Sequence, residues 1–228
     1  MAIAFHASAD LGNNGGTSTS LTVSYTCGAG ANRALVVTCN GQVNSDVITG
    51  ATYNTVPMTL AVKQAPSSSA QRYTYMFYLL NPASGANNVV ISATGGNLTI
   101  EACAADYTGV GSFDATNSGT SAGSSTTAVL SLTTIADNCW AIFGWGGYAG
   151  GANTPFAGSG LTQRVFGAAF KDNGICDSNG AIHPAGAYSM TENIGAAASS
   201  TQSMALSFAP FVASLLPSSV ARYAETSW

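Results

Sequence analysis

The chain has 228 residues, 46% apolar and only 7% charged, with a net charge of −4. That length and apolar share allow a sizeable core, whereas an ordinary globular chain carries about 25% charged residues. The six Lys and Arg residues are scattered singly, which excludes the basic footprint of a nucleic-acid binder, and no run reaches the ~20 apolar residues of a membrane-spanning helix.

The first ten residues, Met1 to Asp10, have no basic start and no long apolar stretch, so they are not expected to be a signal peptide. Beyond them the period is two almost everywhere. Leu21, Val23 and Tyr25 alternate with Thr22, Ser24 and Thr26, as in a half-buried strand. Ala34 to Cys39 is a continuous apolar run, expected to be covered on both faces. Short strands are expected at Val47–Tyr53, Met58–Lys63, Tyr73–Leu80, Val89–Ala93 and Ile100–Tyr107, separated by Asn, Gly, Pro and Ser turn clusters. Tyr73–Leu80 is apolar on both faces, so it reads as a central or covered strand.

A Gly/Ser/Thr stretch from Gly111 to Thr126 interrupts the pattern, which restarts at Ala128–Leu132. Cys139–Trp145, Leu161–Phe170, Ala185–Met190 and Ser203–Phe208 follow. The restart repeats the first half faintly: Ser20–Ser24 followed by Leu35–Thr38 resembles Ala128–Thr133 followed by Trp140–Phe143, and Ile100–Tyr107 resembles Ser203–Pro210. Strands at this spacing mark a sandwich, and two halves of four or five strands suit a double Greek key. The expected fold is therefore all-β: a jelly-roll-like β-sandwich of two related Greek-key halves, about 1–110 and 111–208. One domain is expected over 1–208, with residues 209–228 as a tail or arm. Two small sandwiches joined at Gly111–Thr126 are the alternative, weakened because each half is small for an independent core.

The strings Asn32–Val37, Ile48–Asn54 and Met58–Ala61, extended by Tyr78–Ser92 and Ala104–Val110, resemble a β-sandwich module of phage virion and tail proteins and of bacterial surface proteins. The resemblance covers Thr17–Val110 well and the second half weakly. It implies fold, and no catalytic or binding residue carries over from strand-and-turn motifs.

Five cysteines (Cys27, Cys39, Cys103, Cys139 and Cys176) show no Cys-x-x-Cys spacing, so neither a disulfide framework nor a zinc site is expected; a Cys27–Cys39 bridge is the one pairing kept open. Gly119–Gly123 matches Gly-x-Ser-x-Gly around Ser121, with Asp172 or Asp177 and His183 following in hydrolase order. That motif needs a strand before it and a helix after it, and chance in a Ser/Gly-rich stretch explains it better. Asp172–Gly180 is rich in oxygen donors but lacks calcium-loop spacing. No enzyme activity, metal or cofactor is expected. Trp140, Trp145 and Tyr148 stand among glycines and are candidates for stacking on sugars. Phe211, Val212, Leu215 and Leu216 follow the last clear strand and are candidate inter-subunit contacts, since an unanchored tail is normally polar.

Low charge with no leader and unpaired cysteines fits a protein made in the cytoplasm and used in a virion. The leading expectation is a virion structural protein, such as a phage capsid decoration or cement, head-fibre or tail component. Its partners would be its own copies and other virion proteins, with no nucleic acid and no membrane insertion. The alternative is an extracellular carbohydrate-binding or adhesion module of a bacterial surface, which would take host-surface sugar as its partner.

Overall fold

The computed structural model describes residues 1–16, 18–67, 72–96, 98–147, 154–168 and 172–213. Nine strands come from the first half: β1 (Ala4–Asn13), β2 (Ser20–Cys27), β3 (Ala34–Gly41), β4 (Ile48–Tyr53), β5 (Val56–Pro57), β6 (Thr59–Gln64), β7 (Thr74–Leu80), β8 (Gly85–Ala93) and β9 (Ile100–Thr108). Six come from the second: β10 (Val110–Thr133), β11 (Trp140–Gly147), β12 (Phe156–Ala157), β13 (Thr162–Phe166), β14 (Asn173–Asp177) and β15 (Ala187–Pro210). All pairings are antiparallel. The fold is an all-β, jelly-roll-like sandwich.

The first half makes an inner sheet in the order β1-β9-β3-β7-β6 and an outer sheet in the order β2-β8-β4-β5. In the second half the order β10-β15-β11-β14-β13 resembles that of the first inner sheet: the first strand of each half lies beside its last, and that last strand lies beside β3 or β11. β10 and β15 are each as long as two first-half strands, and their pairing slips between Ala122 and Thr127. Beyond that break Ala128, Leu130, Leu132, Met190 and Ile194 pack on Ala141, Phe143 and Trp145, and Asn117 Nδ2 donates to Ser131 O at 2.7 Å. The ribbon thus folds over its own sheet, so its distal part does for the second half what β2 and β8 do for the first.

Local detail repeats as well. Tyr107 faces Phe5 across β9 and β1, as Phe208 faces Phe113 across β15 and β10, and the next pairing step is a register shift in both, at Phe5/Ala7 and Phe113/Ala115. A second pair of shifts falls at Leu60/Val62 in β6 and Gln163/Val165 in β13. Asn32 (φ 52°) and Asn138 (φ 62°) take left-handed backbone two residues ahead of β3 and β11.

The two inner sheets pack face to face in opposite strand order, β3 against β11, β1 against β13 and β6 against β10. That arrangement is a pseudo-two-fold. Three apolar clusters result: Leu35, Val37, Tyr75 and Phe77 within the first half; Val36, Met76, Tyr107, Trp140, Ile142 and Phe208 between the halves; and Phe143, Trp145 and Met190 within the second. Every residue of β3 and β11 is buried because each of these strands has a covered face on either side. The continuous apolar run at Ala34–Cys39 has this cause.

Two readings of the sequence are corrected. Gly111–Thr126 is not a break but part of β10, where Ser, Thr and Ala place their backbone groups in the ladder with β15. The strands expected at Ala185–Met190 and Ser203–Phe208 fall at the two ends of one strand, β15, which begins at Ala187. The N-terminal segment contains β1, whose polar-apolar alternation is blurred by register shifts at Phe5/Ala7 and Asp10/Gly12.

Candidate functional site

Five acids and one arginine are buried in the packing: Glu101, Asp106, Asp172, Asp177, Glu192 and Arg72. Asp177, fully buried, accepts from Arg164 Nε at 2.7 Å and Nη2 at 2.8 Å, and from the Tyr107 hydroxyl at 3.1 Å. The same guanidinium lies 4.1 Å from the centre of the Phe5 ring. On the other side of the pseudo-two-fold the place of Asp177 is taken by Tyr78, which stacks on Phe113 at 5.1 Å and meets Phe208 edge-on at 6.0 Å. Thus one joint is aromatic and its mate is an ion pair roofed by a ring.

Asp172 pairs with Arg72 inside the same interface, yet burial pushes its carboxyl up to about 7 against the pull of the guanidinium. Glu192 is fully buried in the second half, where its Oε2 accepts from the Cys176 thiol at 3.0 Å, and burial raises it to about 7 as well. Asp106 is buried and accepts from the Tyr25 hydroxyl at 2.7 Å and from Gly28 N at 2.9 Å, with His6 Nδ1 3.1 Å from Oδ2. Burial, reinforced by Asp106, drives the Tyr25 phenol well above its ordinary range. Asp172 and Asp177 therefore face two different arginines rather than one shared cation, and no group of three metal-ligating side chains occurs among the described residues.

Ser121 lies inside β10 opposite Thr201, not on a turn between strand and helix. All five cysteines are free and buried, Cys27 and Cys39 included.

The three aromatic candidates fall in different places. Trp145 is fully buried in the second-half cluster, and Trp140, 8% exposed, meets Tyr107 edge-on at 6.1 Å. Alternation along β11 aims the two rings at opposite faces, Trp140 into the cluster between the halves and Trp145 into the second-half cluster. Tyr148 lies outside the described residues.

Phe211 and Val212 are 38% and 79% exposed, while Leu215 and Leu216 lie outside the described residues. Phe211 and Val212 border an apolar groove of about 510 Å³, together with Ile3, Asn138, Trp140 and Ala181. β15 ends here, and the start of the chain closes one wall, with the Met1 amino group donating to Phe211 O at 2.7 Å. Sequence reasoning found Trp140, Phe211 and Val212 one by one; it had no signal that the fold brings them to one groove. Ile3 carries no comparable signal, because register shifts blur the alternation of the segment it precedes.

No protein-family model matches the chain, and no curated protein matches it. Among solved structures it is similar to a chain in "Life in the extremes: atomic structure of Sulfolobus Turreted Icosahedral Virus", at 14% identity, covering 88% of this chain and 58% of the viral chain, with a TM-score of 0.27. A likeness at that level carries no weight for fold or role. No helix among the described residues is long and apolar enough to cross a membrane.

Proposed function

We propose that the chain is a structural protein of a virion, in the manner of a capsid decoration, head-fibre or tail component, and that it acts through protein–protein contacts. The supporting observation is the apolar groove bordered by Phe211 and Val212 at the point where the chain leaves its last strand. Apolar residues gathered at a chain exit favour contact with another protein. The low charge of the surface agrees, since charged edges are a usual guard against association. The acids described above serve internal packing, so the reading needs no reaction and no cofactor.

Two measurements test it. Light scattering behind size exclusion at low micromolar concentration is expected to give an oligomer or a complex with another virion protein. Mass spectrometry of particles purified from a host carrying the gene is expected to find the chain at structural copy number. Its absence from every particle fraction overturns the proposal.

A further inference from the structure

We propose that the outer sheet of the first half binds a neutral saccharide, a hexose or N-acetylhexosamine unit of a glycan, in a cleft between β8 and the β4–β5 turn. The inference goes beyond the assembly reading and does not depend on it.

Strand alternation builds the cleft. Tyr53 and Val89 turn inward to the first-half cluster, so their neighbours Thr52, Asn88 and Val90 face outward. Thr52 pairs with Val90, and Asn54 N donates to Asn88 O at 3.1 Å, which brings the turn residues Asn54 and Thr55 up beside β8. With Ala86 and Asn87 these residues border an open cleft of about 360 Å³, a size ordinary for small-molecule sites, which run from about 300 to 1,000 Å³. Across β8 the same uncharged face continues in Thr22, Ser24 and Thr26 of β2, which pair with Val90, Asn88 and Ala86.

The lining selects the class of ligand. None of its side chains is ionisable, so nothing in the cleft offsets the charge of an ionic ligand. Its amides and hydroxyls both donate and accept, as the hydroxyls of a sugar do, and Ala86 and Val90 offer methyl groups to the C–H edge of the ring. The side chains of Thr52, Asn54, Thr55 and Asn88 have no hydrogen-bond partner among the described residues. Asn87 is held in place, because its Nδ2 donates to the Tyr53 hydroxyl at 3.3 Å and to Gly85 O at 3.4 Å.

The turn carries an independent sign. Asn54 and Thr55 form a two-residue hairpin connection with φ of 49° and 65°. Such turns favour Asn followed by Gly, and a β-branched residue in left-handed backbone is costly. Glycine at position 55 would remove that cost, whereas threonine keeps a hydroxyl and a methyl group on the rim of the cleft. Backbone strain retained in this way gathers at ligand sites.

The test uses the full chain and two variants, Thr55→Gly and Asn88→Ala. The wild-type chain is applied to an array of printed oligosaccharides ending in glucose, galactose, mannose, N-acetylglucosamine or N-acetylgalactosamine, with sialylated and sulfated glycans alongside. It is expected to bind a neutral class and to show no preference for the anionic glycans. Isothermal titration with the neutral oligosaccharide bound best should then show at least ~10-fold loss of affinity in each variant, the scale of one or two hydrogen bonds. Asn88→Ala removes an exposed side chain and should leave the melting temperature unchanged. Thr55→Gly relaxes the turn and should melt at or above the wild-type temperature, so its loss of binding cannot be a loss of fold. The proposal is overturned if the chain binds no neutral glycan, if it prefers the anionic ones, or if either variant retains wild-type affinity.

Discussion

Replacing Glu192 by Gln should make the protein more stable at pH 8 and change the shape of its pH dependence. Glu192 is fully buried, and Oε1 has no hydrogen-bond partner among the described residues. Burial moves its carboxyl from 4.5 to about 7, so the folded chain keeps a proton that the unfolded chain releases between those values. Because the folded state binds more protons there, stability is complete below about pH 4.5 and declines as pH rises towards 7. At 1.36 kcal/mol per pH unit the loss is about 3 kcal/mol. The Glu192→Gln side chain would keep a neutral amide in the site and an oxygen for the Cys176 thiol, so the variant has no such loss. Asp172, moved from 3.8 to about 7, declines in the same direction, so the wild-type curve should fall by more than Glu192 alone contributes. Urea unfolding at pH 5 and pH 8 measures both. The expected result is near-equal stability of the two proteins at pH 5 and an advantage of the variant at pH 8. Parallel pH curves for wild type and Glu192→Gln would refute the assignment.

Arg164→Met leaves Asp177 buried without its bidentate partner and should cost about 3–5 kcal/mol in urea unfolding. The double variant Arg164→Met/Asp177→Asn should recover part of that loss, since the uncompensated charge is gone. Gly109→Ala should lower stability by more than ~1 kcal/mol, because Gly109 has φ +74° and an added Cβ would sit 2.0 Å from Ala2 O. A thermal melt unchanged from wild type would contradict it.

The strand content was legible because alternation and turn residues are local signals, and Ala34–Cys39 even announced its two covered faces. Ala128–Thr133 lies in the distal part of β10 and Trp140–Phe143 opens β11. What stayed hidden depends on contacts distant in sequence. Gly111–Thr126 has the composition of a loop, and only the length of β15 makes it a strand. Trp145 looks like a binding aromatic beside glycines until the distal part of β10 is seen to cover it. Asp177 stands in a stretch rich in oxygen donors, and only the fold brings Arg164, on a neighbouring strand, over it. The groove is the extreme case, since it joins residues near the start, middle and end of the chain.

The pseudo-two-fold also bears on how this interface can change. In a dimer of identical chains each substitution appears on both sides of the axis at once, and residue i must suit residue j twice. Here the two faces are written in one chain, so a change is felt at only one of the two joints. Tyr78 can keep its aromatic company with Phe113 and Phe208 while the matching joint holds Asp177, Arg164 and Phe5. Fusion also makes the contact insensitive to dilution, since the second face is always tethered near the first. One joint is therefore free to vary while the other holds the halves together.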